Sequence, residues 1–123
     1  MNRRRFSRHK IKALAYFPGD AKGYPVENLS WKGIFIKTEK FKDSQGKVIN
    51  FVVDIPEIGL IPICGFIVHY GTSDNPGLGV EILEIEKNLA PVWNLYIKAL
   101  SYLGEAKEKY EKIISKEEHE PKE

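Results

Sequence analysis

Cysteine is almost missing from this chain. Cys64 is the only one, so no intramolecular disulfide can form, which favours a reducing, cytoplasmic setting. It lies in the apolar run Ile61 to Val68 with no basic neighbour to activate it, and is read as core or strand filler. Long apolar runs are missing too. No stretch approaches the roughly 20 apolar residues of a membrane span. Acid is missing from the first twelve residues, which hold Arg3, Arg4, Arg5, Arg8, Lys10 and Lys12. Arg3-Arg4-Arg5-Phe6 has the look of a twin-arginine export signal, but Lys10 and Lys12 break up any apolar region behind it, so export is excluded. A strong net charge is absent: 19 basic against 17 acidic residues leave +2, which describes a local basic patch rather than a basic protein. His9, His69 and His119 are too scattered for a metal site, and no cysteine pair assists them. Gly77-x-Gly79 lacks the strand-to-helix order of a dinucleotide fingerprint. No Ser-His-Asp or paired-carboxylate arrangement stands out, and Glu81 and Glu84 are read as the solvent side of a strand. Neither catalysis nor a metal nor a cofactor is expected.

What is present is a pattern of short strands. The hydrophobic fraction of 42% supports one compact domain with an extension. Ile11, Ala13, Ala15 and Phe17 alternate, predicting a first strand over 10–17. Further strands are expected over 23–29, 33–38, 48–55, 61–70 and 77–85. Pro25 suggests an edge or bulge, and Gly65 a bend or bulge. The period then changes. Leu89, Trp93, Tyr96, Ile97, Leu100 and Leu103 share one face of a helix from about residue 88, with Asn88 as N-cap and Pro91 in the first turn. The pattern continues through Tyr110, Ile113 and Ile114 and fades at Lys116. The chain therefore divides into a basic flexible arm (1–9), a barrel with its packed helix (10–103), and a helix extension with a disordered tail (104–123). The fold class is mainly β, a six-stranded antiparallel β-barrel with a C-terminal α-helix. Residues 89–103 are expected to pack on the barrel. For 107–114, a homodimer seam and a solvated end both stand.

Two stretches carry chemistry. Asn28 and Ser30 are two apart, so a continuing strand points both side chains the same way. Asn28 offers an acceptor and a donor, and the Ser30 hydroxyl does both. Gly33 permits a positive φ or the close approach of a ligand. Together they suit the edge of a planar hydrogen-bonding group such as a purine; a self-bonded turn between strands is the plainer alternative. Upstream, Arg4 and Arg8 are four apart, with Arg5 beside them. Guanidinium groups grip phosphate in a bidentate fork and lie flat on a nucleobase. A solvated basic tail is the plainer alternative there.

Arg4-Arg5-x-x-Arg8 followed by Asn28-x-Ser30-x-x-Gly33 resembles the two-part signature of PilZ domains, which place Asp or Asn at the first position of the second part. Ile34-Phe35-Ile36, Gly65-Phe66-Ile67-Val68-His69 and Gly77-Leu78-Gly79-Val80-Glu81-Ile82 resemble the family's later strands in order, and the helix after residue 88 its C-terminal helix. The resemblance implies a barrel that binds the bacterial second messenger cyclic di-GMP. It implies that Arg4 and Arg8 contact guanine and phosphate, that Arg5 adds charge and stacking, that Asn28 and Ser30 bond the guanine edge, and that Gly33 leaves room. His69 stands where many members resemble Trp; a stacking ring and an ordinary strand-end residue are its two readings. Trp31 is either a barrel plug or an exposed aromatic on the ligand side. The implied partners are cyclic di-GMP and a protein of the signalling or motility machinery, in the control of motility and biofilm. Two other functions remain open from sequence. One is a PilZ-like adaptor that ignores the nucleotide. The other is a small barrel binding single-stranded nucleic acid through the arm with Trp31 or Tyr24.

Overall fold

The computed structural model describes the backbone of residues 12–119 and the side chains of residues 12–116. The paired arginines and Arg8, the export-like start and the first residues of the expected first strand lie outside the described residues. The strands are β1 (Ala13–Tyr16), β2 (Tyr24–Leu29), β3 (Gly33–Ile36), β4 (Val48–Ile55), β5 (Gly59–Tyr70) and β6 (Leu78–Ile85). A 3-10 turn (Lys87–Leu89) leads into α1 (Ala90–His119). The strands close into a barrel in the order β1-β2-β3-β6-β5-β4, every neighbouring pair antiparallel. Closure leaves no unpaired edge within the sheet.

Alternation builds the interior. Ala13 and Ala15, Ile34 and Ile36, Val53 and Ile55, Ile61 and Ile63 each point inward from one strand and are buried. Burying each larger side chain contributes about 1.5–3 kcal/mol. Two interruptions of that alternation matter more than the rule. In β2 the register against β3 shifts between Val26 and Asn28. In β5 the register against β6 shifts between Cys64 and Gly65 and again between Ile67 and His69. Such β-bulges insert one extra residue and re-aim the side chains beyond it. The bulge beside Pro25 matches the sequence pattern; since a closed barrel has no edge, Pro25 marks a bulge. At Gly65 the expected bulge is corrected: β5 keeps its alternation there, and the extra residue is Leu83 of the facing β6. The one at Val68 had no sequence signal. At Gly65 a side chain has no space, because a Cβ would overlap Val80 Cγ1 and lie 3.2 Å from Glu81 O.

The helix covers the barrel with Trp93 and Ile97, both within the core, and with half-buried Leu89, Val92, Tyr96 and Leu100. Leu103 was expected on this face but is 57% exposed, since the helix has left the barrel wall by then. Tyr110 and Ile113 are exposed as well. The helix also runs past Lys116 to His119. The expected N-cap is corrected. Glu86, not Asn88, caps the 3-10 turn, its carboxylate accepting from Asn88 N at 2.9 Å and Leu89 N at 3.2 Å. A carboxylate there meets the partial positive charge of free N–H groups, so it outcompetes a neutral amide.

Candidate ligand-binding site

Two bulges create the site. Val26 and Leu29 both point inward and are buried, so the extra residue between them places Glu27 and Asn28 together on the outside. Ile67 is also buried, and the bulge after it turns His69 outward with Val68. Without these insertions, period-two alternation would send Asn28 and His69 into the core. Their cross-strand partners then align in one row across the outer wall. Asn28 pairs with Phe35, Phe35 with Gly79, and Gly79 with His69.

The middle of that row is an aromatic floor. The Phe35 and His69 rings lie near parallel, at 30°, with centroids 6.3 Å apart. Phe35 is 8% exposed although it faces away from the core cluster. Both rings lie over glycines. A Cβ at Gly79 would land on the His69 imidazole, and one at Gly77 would collide with the Phe35 ring. The glycines of Gly77-x-Gly79 are therefore spaces for rings, not a phosphate loop.

The next row is formed by the β2–β3 turn. Ser30 N donates to Gly33 O at 2.8 Å, closing a tight hairpin over Trp31 and Lys32. The Ser30 hydroxyl is only 3.5 Å from the same carbonyl, at the limit of a hydrogen bond, so the turn does not consume it. Gly33 has no positive φ, contrary to one expectation for it. A Cβ there would meet Val80 O at 3.5 Å and Ser30 Oγ at 3.8 Å, ordinary contact distances. Nothing within the described fold requires a glycine at this position. Trp31 is 42% exposed at the turn and is not a barrel plug.

Asn28, Ser30, Gly33, Phe35 and His69 all line one depression of about 500 Å³. Four of the seven residues that the sequence singled out are thus gathered by the fold, while Arg4, Arg5 and Arg8 lie outside the described residues. Glu27, Lys32, Phe35, Asn75 and Glu81 were missed as lining residues. Phe35 had a signal, because an aromatic at the outward position of an alternating strand is out of place unless something covers it. Asn75 had none, as it comes from the β5–β6 loop. Its amide donates to Glu27 Oε1 at 3.5 Å and its carbonyl accepts from Lys37 Nζ at 2.7 Å, tying that loop to β2 and to the residue just after β3. Two carboxylates, Glu27 and Glu81, face one ammonium, Lys32, so the described lining carries no excess of positive charge.

On the other side of the barrel, a depression of about 490 Å³ is lined by Tyr16, Val52, Pro62 and Cys64, among others. Its wall is mainly apolar and offers no array for a polar ligand. Cys64 is half-buried there, on the strand's outer face rather than in the core. Among the described residues, no three His, Cys, Asp or Glu gather as metal ligands, and no helix is long and apolar enough to cross a membrane.

No family model matches the chain, and no curated protein matches it. Among solved structures it is similar to the Bacillus subtilis inhibitor of motility, MotI/DgrA, with a TM-score of 0.68 and 15% identity. The likeness covers 87% of this chain and 53% of that one, so this chain spans about half the length of the protein it matches. At that identity the likeness is one of fold. The chain is a six-stranded antiparallel barrel with one C-terminal helix, a fold it shares with that protein.

Proposed function

We propose that this chain is a receptor domain for cyclic di-GMP, acting by binding rather than catalysis. One observation carries the reading: the bulges in β2 and β5 bring Asn28, Ser30, Gly33 and His69 into one outward depression of about 500 Å³. Ligand pockets of this kind run to about 300–1,000 Å³. The exposed His69 ring, backed by Phe35, supplies an aromatic face for a base. Asn28 and Ser30 supply donors and acceptors for its edge.

The charge of the described lining explains why the arm is needed. Lys32 alone against Glu27 and Glu81 cannot hold two phosphates. The arginines Arg4, Arg5 and Arg8 supply the missing cations. Strand register supports their access. β1 starts at Ala13 opposite Val26 and runs antiparallel to β2, so the chain entering β1 comes from the direction of Asn28. From Arg8 to Ala13 an extended chain reaches about 17 Å, enough to bring the arm over the depression. Closure of the arm on the ligand then changes the surface offered to a partner. The likeness to a motility inhibitor favours a partner in the motility machinery.

Titration calorimetry with cyclic di-GMP at low salt tests this directly. Saturable binding is expected; no heat at high micromolar ligand refutes it. The adaptor reading is favoured by one observation, the exposed Tyr102, Tyr110 and Ile113 on the overhanging helix. A partner captured equally with and without cyclic di-GMP, and lost on removal of the helix extension, would favour it.

A further inference from the structure

The described lining holds a carboxylate that an anion site should avoid. Glu27 has a use, since Asn75 Nδ2 donates to it. Among the described residues the Glu81 carboxylate has no hydrogen bond and no ion pair. An ionised carboxylate only accepts hydrogen bonds, so beside an anionic ligand it repels unless the ligand turns a donor-bearing edge toward it. A base with adjacent N–H groups has such an edge.

Register sets where that edge would lie. Glu81 is the cross-strand partner of Gly33, and Ser30 bonds Gly33 from the other side. Ser30 and Glu81 therefore flank Gly33 across two strand spacings, about 10 Å in all. Between them stands no side chain. The fold itself does not require that vacancy, because a Cβ at Gly33 would make only ordinary contacts. A slot bounded by a hydroxyl and a carboxylate without a partner among the described residues, and left open for no reason within the described fold, fits a planar base.

Resting on the reading of this depression as a cyclic di-GMP site, the geometry points to Glu81 as the residue that selects guanine. Its carboxylate accepts from the guanine N1–H and N2 amino group of a base lying over Gly33, while Ser30 bonds the base from the opposite side. Asn28 is neutral and cannot provide this charge-assisted acceptor; Glu81 can. Adenine would turn its N1 lone pair to the carboxylate and be repelled. Hypoxanthine would keep N1–H but lose the amino donor.

The test compares cyclic di-GMP, cyclic di-IMP and cyclic di-AMP by calorimetry on the wild type, Glu81→Gln and Glu84→Gln. Glu84 is also on β6 but lines the depression on the other wall. The wild type is expected to prefer cyclic di-GMP over cyclic di-IMP by about tenfold or more, the scale of a hydrogen bond to a charged group. Glu81→Gln should bring the two within about threefold of each other, mostly by weakening cyclic di-GMP, and Glu84→Gln should keep the wild-type preference. Full preference retained in Glu81→Gln, with cyclic di-GMP still bound, overturns this assignment alone. No binding of any of the three by the wild type overturns the underlying reading with it.

Discussion

Replacing Gly33 by Ala separates the fold from the site. A strand glycine normally gains stability on becoming alanine when nothing obstructs the new methyl, because the unfolded chain loses freedom. That gain is about 0.4–1 kcal/mol. Gly33 meets the condition. It lies in β3 without a positive φ, and its Cβ would rest 3.5 Å from Val80 O and 3.8 Å from Ser30 Oγ, so no neighbour has to move. For a domain of this size the melting temperature should rise by about 2–6 °C. The same methyl projects into the depression shared with Asn28 and His69. Placing an added methyl in a filled site costs about 1–3 kcal/mol, roughly fivefold to a hundredfold in affinity. Thermal melts without ligand and calorimetry with cyclic di-GMP read the two effects independently. A variant that melts several degrees lower would show that the slot is not open space. A variant that melts as expected and binds cyclic di-GMP with unchanged affinity would show that the ligand does not lie over Gly33.

Three further outcomes are expected. Arg8→Ala should weaken cyclic di-GMP by about 1.5–3 kcal/mol and flatten the salt dependence of binding, and unchanged affinity in calorimetry would remove the arm from the mechanism. Gly65→Ala should lower the urea midpoint without changing its slope and cost about 1–3 kcal/mol, since the Cβ would overlap Val80 and Val80 is only 4% exposed; wild-type stability would contradict this close packing of β5 on β6. Asp20 accepts from Lys40 Nζ at 2.7 Å, from Lys22 N at 3.0 Å and from Tyr24 Oη at 2.9 Å, and the Lys40 bond above all holds its carboxyl at about 2, below the ordinary 3.8. Its contribution to stability is therefore complete above about pH 4 and fades as the pH falls toward 2, so the stability gap between wild type and Asp20→Asn should close over that window; a gap undiminished at pH 2 would refute it.

Much of this molecule is determined by its amino-acid order alone. Alternation in β3 and β4 and the change to helical spacing at Leu89, Trp93 and Ile97 define six strands and a helix, because only one face of each element can be buried. The polar turn Asn28 to Gly33 is legible too, since a break between two alternating runs must expose its polar groups. Tertiary structure decided the rest. Sequence alternation by itself would turn Asn28 and His69 inward. Only the register of β2 on β3 and of β5 on β6, set by which neighbours fill the core, adds the extra residues that turn both outward. Asn75 reaches the site only because barrel closure places β6 beside β3. Glu81 is solvent-side, as read from sequence, yet it lines the same depression for the same reason: its neighbour is Gly33, forty-eight residues earlier, and no local pattern encodes a vacancy on the adjacent strand.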